Sequence, residues 1–226
     1  RLNKFIGFNR IDGIIECESG VLLSDILEVS VPQGFFLTVT PGTKFVSVGG
    51  AIASDVHGKN HHAEGCFSES VLAFKILNEN SEVLHCSRSE NTDLFWATIG
   101  GMGFTGIILS ATVQLKKIET AYIRQESIKA ENLDEIFQLF DESENWTYTV
   151  AWIDCLQKGK NIGRSILMRG EHALLNELPQ NLAKTPLKLK KKFMPTVPFY
   201  FPSFVLNAFT VKAFNFLYFN KQRNKE

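Results

Sequence analysis

The segment Pro41 to His62, PGTKFVSVGGAIASDVHGKNHH, sets Gly42, Gly49, Gly50 and Gly58 beside His57, His61, His62 and Lys59. Glycines let backbone N–H groups come close to a ligand, because no Cβ stands in the way. Imidazole and ammonium groups next to such a backbone add proton carriers and positive charge. The combination reads as a cofactor-cradling loop. A metal reading fits less well. His57 and His61 are four apart, with His62 and Glu64 close in sequence, which would suit zinc on a helix. Gly58 and Asn60 disfavour a helix between them, no H-E-x-x-H is present, and no metal is expected.

A second glycine run, Gly101-Met102-Gly103-Phe104-Thr105-Gly106, spells G-x-G-x-x-G. In a dinucleotide fold that motif follows a strand and opens a helix. Here a helical pattern comes first and the strand-like Ile107 to Val113 follows, so a glycine-rich turn feeding a strand is the better reading. Asp55 is an awkward member of a phosphate-binding loop, since a carboxylate repels a pyrophosphate. Holding the loop by accepting from backbone N–H groups is the role expected of it.

The elements that must position these residues follow from periodicity and turn chemistry. Two short strands flank the turn residues Asn9 to Gly13. VLLSDILEV has helical spacing, with Ser19 as its expected N-cap and Pro32 and Gly34 as its stop. Phe35 to Val39 reads as a strand. Val71 to Leu77 and Glu82 to Cys86 read as a hairpin across Asn78 to Ser81. Ser89 to Ile99 reads as a helix. From Ala121 onward the order is strand (122–128), helix (133–140), strand (146–153) and strand (164–168), the pattern of a separate α+β domain with antiparallel strands. The boundary is placed near residue 118.

Zero formal net charge argues against a general nucleic-acid binder, and the apolar content argues against disorder. Cys17, Cys66, Cys86 and Cys155 form no C-x-x-C pair, which suits a reduced cytosolic chain. The basic stretch Leu187 to Lys192 is followed by Phe193, Pro195, Pro198, Phe199, Tyr200, Phe201, Pro202 and Phe204, and then by the apolar run Val205 to Phe219. Packing against the rest of a larger domain is the first reading of this part. A membrane-surface contact is the second.

PGT, VGGAIASDVHGKNHH and LFWATIGGMGFTGIIL together resemble the flavin-binding half of the PCMH-type FAD-dependent oxidoreductases. The likeness runs from about Ile11 to about Tyr218. It implies an α+β fold: the C-terminal half of a PCMH-type FAD-binding domain over 1–117, then the start of a substrate domain with an antiparallel sheet over 118–226. It also implies that the chain is a piece of a longer protein, with a pyrophosphate loop upstream and more of the substrate domain downstream.

By the same resemblance the cofactor is FAD, lined by Gly42, Ser47, Val48, Gly49, Gly50, Ser54, Asp55, Val56, His57 and Ile108. His57 lies beside the isoalloxazine, and His57 and Lys59 are the catalytic candidates. Lys59 faces the substrate, and Trp152 matches a substrate-pocket tryptophan. Taken alone, Lys59 reads better as a solvated loop lysine, and Trp152 equally well as a core aromatic of the second domain. The implied reaction oxidises a secondary alcohol of a sugar, a small-molecule or lipid-linked substrate such as a polyprenyl-phosphate-linked pentose. Aldonolactone oxidation and a non-catalytic, truncated flavin-binding fragment are the alternatives. An NAD(P)H-dependent reductase partner would complete an epimerisation, in a cytoplasmic protein that touches the inner membrane peripherally.

Overall fold

The computed structural model describes residues 2–189 and 199–222. Lys190, Lys191, Lys192, Phe193, Pro195 and Pro198, part of the basic and aromatic stretch singled out above, lie outside the described residues. The chain divides into two compact units, Arg1–Tyr122 with His172–Leu189, and Ile123–Glu171 with Lys190–Glu226.

The first unit is built on β6 (Ile107–Lys117), an eleven-residue strand. Three elements pair with it antiparallel: β2 (Ile14–Glu18), β3 (Phe35–Leu37) and β4 (Val71–Leu77). β1 (Phe5–Asn9) extends the sheet beyond β2, and β5 (Val83–Ser87) extends it beyond β4. One face of β2, β4 and β6 buries Ile15, Cys17, Phe74, Ile76, Ala111 and Val113. Helices α1 (Leu23–Ser30), α2 (Val48–Ala53) and α4 (Thr92–Thr98) contribute side chains to that core, with Phe95 of α4 stacked on Phe74 at 5.2 Å between ring centroids. Burial, and secondarily Glu16, pushes the Cys17 thiol up to about 12, so it is an inert core group.

Two local expectations are corrected. Ser19 does not cap α1. That helix starts later, at Leu23, and the Leu22 N–H donates to the Asp25 carboxylate at 3.3 Å. Ser19 is committed elsewhere: its N–H donates to the Leu109 carbonyl at 2.9 Å and its carbonyl accepts from Gly49 N–H at 2.7 Å. The glycine-rich stretch is also not a pure loop. It contains α2 and the single turn α3 (His61–Glu64). The low helix propensity of Gly49 and Gly50 hides α2, but Ser47 is a helix N-cap, its hydroxyl accepting from Gly50 N–H at 3.2 Å.

The residues from His172 return to the first unit. Thr120 Oγ1 donates to the Ala173 carbonyl at 2.7 Å, and Ala121 N–H to the Pro186 carbonyl at 2.8 Å. A short helix, α6 (Gln180–Ala183), lies in this segment.

The second unit has a three-stranded sheet in the order β7 (Ile123–Ala130), β9 (Ser165–His172), β8 (Tyr148–Ile153), with β8 and β9 antiparallel. Helix α5 (Leu133–Asp141) is capped by Asn132, which accepts from Glu135 N–H at 2.9 Å, and buries Ile136 against Ala130 and Leu167. α7 (Ala208–Lys221) is capped by Asn207 and carries apolar side chains all round its circumference. Asn215 and Phe219 are buried, while Phe209, Phe214, Phe216 and Leu217 are exposed. Among the described residues no helix is long and apolar enough to cross a membrane.

A buried polar hub ties this unit together. Asp154, 1% exposed, follows β8. Its carboxylate accepts from Arg164 Nη2 at 2.6 Å, Asn215 Nδ2 at 2.6 Å, Gln157 Nε2 at 2.7 Å and Leu156 N–H at 3.2 Å. The Arg164 guanidinium lies over the Phe219 ring at 4.4 Å. Burial pushes the Asp154 carboxyl up, but the hydrogen bonds from Arg164, Gln157, Asn215 and Leu156 outweigh it and hold the group below its ordinary value.

A carboxylate with a depressed pKa stabilises the fold above the unfolded-state value of about 3.9 and loses that contribution as pH falls through the folded-state pKa. Asp154→Ala leaves the buried Arg164 charge uncompensated and should cost about 3–5 kcal/mol at neutral pH. Urea unfolding followed by tryptophan fluorescence should show the gap between parent and variant narrowing once pH drops below about 4.

Candidate flavin site

The candidate loop is held from two sides. On one side it is fastened to the chain just after β3. The Asn60 side chain, 0% exposed, donates from Nδ2 to the Thr38 carbonyl at 2.7 Å and accepts from Thr40 N–H at 3.1 Å. Lys59 N–H donates to the Thr40 carbonyl at 3.0 Å. Gly58 is required here because a Cβ would run into that same Thr40 carbonyl, a backbone atom that cannot step aside.

On the other side, Phe67 N–H donates to the Val56 carbonyl at 2.9 Å, and His57 forms a β-bridge with Cys66. Asp55 turns the chain with a φ of 39°, and its carboxylate accepts from Ser68 N–H at 2.9 Å and Ser68 Oγ at 3.1 Å. Its charge is thereby engaged within the protein. With both flanks fastened, His57 and Lys59 are presented on the surface. The His57 and His61 rings meet edge to face at 5.6 Å, and Cys66 Sγ lies 3.8 Å from His61 Nδ1. Burial, followed by the Asp55 and Glu69 carboxylates, pushes the Cys66 thiol up, so it is protonated at neutral pH. Among the described residues no group of three or more His, Cys, Asp or Glu is arranged to hold a metal ion.

The glycines of α2 are partly spoken for by the protein itself. A Cβ on Gly49 would stand 2.9 Å from Ser19 Cβ, and one on Gly50 would stand 3.1 Å from Ser47 Oγ. Gly42 differs: a Cβ there would meet no atom within 4 Å, so its backbone is open to approach. Val48 is buried, and Ser54 is exposed at the end of α2. The second glycine run packs on that same end. Gly100 N–H donates to the Ile52 carbonyl at 3.0 Å and Met102 N–H to the Ala53 carbonyl at 2.8 Å. Met102 and Phe104 stand out into solvent from this turn, Phe104 at 95% exposure.

The structure therefore brings together Ser47 to Gly50, Ser54 to Lys59 and the 100–104 turn. Ile108 sits in β6, 7% exposed and packed into the core. Trp152 belongs to the second unit, near the end of β8. Asn60 and Ser68, which hold the loop in place, were not singled out from sequence. In the sequence Asn60 only disfavours a helix, and its one legible signal is a small amide set between a glycine-lysine pair and two histidines.

A flavin dinucleotide needs reachable donors for an anionic chain, polar groups at the ring edge and apolar surface against the ring. The open backbone at Gly42, the exposed His57 and Lys59, and the exposed Met102 and Phe104 supply these three kinds of surface. Residues 1–87, which include the whole of Pro41 to His62, match the FAD binding domain family. FAD is the cofactor of this segment.

Relatives extend the likeness beyond that domain. Decaprenylphosphoryl-β-D-ribose oxidase of Mycolicibacterium smegmatis is 39% identical over 230 residues, covering 99% of this chain and 50% of that protein. An uncharacterised protein from the mprA 5′ region of Streptomyces coelicolor is 37% identical, covering 79% of this chain and 48% of its own length. L-gulonolactone oxidase of Mus musculus is 29% identical, over 64% of this chain and 36% of that protein. The chain spans about half the length of the first two relatives.

Within the FAD binding domain, Asn60→Ala should strip partners from Thr38 O and Thr40 N–H together. Each buried group left unpaired costs about 1–3 kcal/mol. Hydrogen exchange should show loss of protection confined to residues near 38–40 and 57–60, with β4 and β6 protected as before.

Proposed function

We propose that the chain is the flavin-holding part, and some of the substrate-holding part, of an FAD-dependent oxidoreductase. Its substrate is a polyprenyl-phosphate-linked pentose, oxidised at the 2′-hydroxyl to the ketone. The observation that carries this reading is the 39% identity to decaprenylphosphoryl-β-D-ribose oxidase, which extends over 99% of the chain and so includes both compact units. Bound FAD supplies the two-electron acceptor for such an oxidation.

In this reading the chain's own residues have separate tasks. Gly42 offers its backbone to the cofactor, with Ser47 to Gly50, Ser54 to His57 and Ile108 lining it. The His57 imidazole takes up or shares the proton leaving the substrate hydroxyl, a task suited to a ring whose nitrogens can both accept and donate. The Lys59 ammonium donates to a substrate oxygen, and Trp152 offers an aromatic face to the sugar. Asp55 stays with Ser68 and keeps His57 in register.

The ketone calls for an NAD(P)H-dependent reductase partner to complete an epimerisation. The lipid moiety calls for a cytoplasmic enzyme that works at the inner-membrane surface. Identity to L-gulonolactone oxidase favours aldonolactones as the second substrate class.

The test uses the whole protein. Gly42→Val meets no steric obstacle within the fold, so it should melt like the parent while losing about tenfold or more in FAD affinity. His57→Ala should keep the flavin spectrum and lose roughly 10²–10⁴-fold in turnover of a polyprenylphosphoryl ribose. Full flavin affinity in Gly42→Val would remove that residue from the cofactor site. Turnover of L-gulonolactone, with none of the ribosyl lipid, would shift the substrate to the second class.

A further inference from the structure

The hub around Asp154 sits directly beneath an aromatic row. Trp152 is two residues upstream of Asp154, near the end of β8. Asn215, which donates to Asp154 at 2.6 Å, is three residues before Tyr218 and four before Phe219 on α7. Residues three and four apart share a face of a helix. Pinning Asn215 therefore fixes where Tyr218 and Phe219 come down. Phe219 lands over Arg164 at 4.4 Å and Lys129 at 4.8 Å. Tyr218 lands on Trp152, with ring centroids 4.9 Å apart, and Phe214 stacks on Tyr218 at 5.7 Å and 17°.

Apolar packing alone does not choose this seating. α7 is apolar on all sides, so several rotations about its axis would bury comparable surface. A single buried amide on this helix removes that degeneracy, because any other rotation breaks the Asn215–Asp154 hydrogen bond and leaves the Asn215 amide without that partner. Asp154 is itself fixed by Arg164, Gln157 and Leu156 N–H, so it acts as a rigid acceptor and not as a mobile one.

We propose that Asp154 is a positioning residue. Through Asn215 it selects the rotation of α7 that places Tyr218 against Trp152, and so shapes the aromatic face offered to the sugar-bearing substrate. This rests on the reading of Trp152 as a substrate-contacting residue.

The test needs a signal from Trp152 alone. With Trp96 and Trp146 replaced by phenylalanine, Trp152 is the sole indole emitter of these 226 residues, and emission is read on them alone. Asn215→Leu keeps the branched shape of the side chain and leaves Asp154 with its other three partners, so the unit folds. Its Trp152 emission should shift to the red and quench more readily with acrylamide. Tyr218→Leu should give the same shift with the hub untouched, and Asn215→Gln should restore much of the parent signal. Affinity for a polyprenylphosphoryl ribose should fall about tenfold in Asn215→Leu.

Unaltered Trp152 emission in Asn215→Leu overturns the proposal. So does a shifted emission with parental affinity, provided Trp152→Ala has lost affinity. If Trp152→Ala binds the ribosyl lipid like the parent, the assignment of Trp152 to substrate falls, and the functional half of this proposal falls with it.

Discussion

The carboxamide of Asn60 reaches from a surface loop into the interior of the first unit and closes two backbone hydrogen bonds there, to Thr38 O and from Thr40 N–H. An amide is the group for this task, because it offers a donor and an acceptor from one end of one short side chain. The Gly58 backbone can then lie against the Thr40 carbonyl, and the Asp55–Ser68 contact fastens the other flank. Between those fixed points the chain has no freedom to withdraw His57 or Lys59 into the fold. The FAD binding domain thus obtains rigidity in an irregular segment from side-chain to backbone bonds, where a helix or strand would obtain it from its own ladder.

The second unit solves a related problem by similar means. The segment after β8 and the helix α7 have little regular structure in common, and one buried carboxylate joins them. Asp154 gathers a guanidinium, two carboxamides and a backbone N–H. Its full complement of partners is what makes burial of the charge tolerable. In both units a polar side chain that is almost wholly removed from water specifies an arrangement that apolar packing would leave degenerate.

Much of the architecture could be read from residue pattern. β-rich runs marked β4 and β5, and the turn residues between them marked the hairpin. The strand, helix, strand, strand order of the second half is found as β7, α5, β8 and β9. The glycine-histidine segment pointed to a flavin domain, and the family match to residues 1–87 agrees. The failures share a cause. Ser19 looked like a cap because serine before an apolar run usually is one, but β6 and Gly49 claim its backbone from far along the chain. α2 was hidden because two glycines weigh against a helix locally, while burial of Val48, Ala51 and Ile52 decides in its favour. Asn60 and the Asp154–Asn215 pair act over 20 and 61 residues of chain, distances at which a single sequence carries no pairing signal.

The central position of β6 has a consequence for how the protein comes into being on the ribosome. β2 finds its neighbour only across the register Ile14 to Gln114, about one hundred residues later in translation. At roughly 5–20 residues per second, the N-terminal hairpin waits on the order of 5–20 s with one edge unpaired. During that interval Ile15 and Cys17, later the floor of the core, have nothing to pack on but the nascent chain. Emergence of β6 supplies β2, β3 and β4 with their partner at once, so the sheet closes late and in one step. Substitutions that slow or misregister β6 would therefore show themselves first as poor yield of folded chain, ahead of any loss in the chemistry of the finished protein.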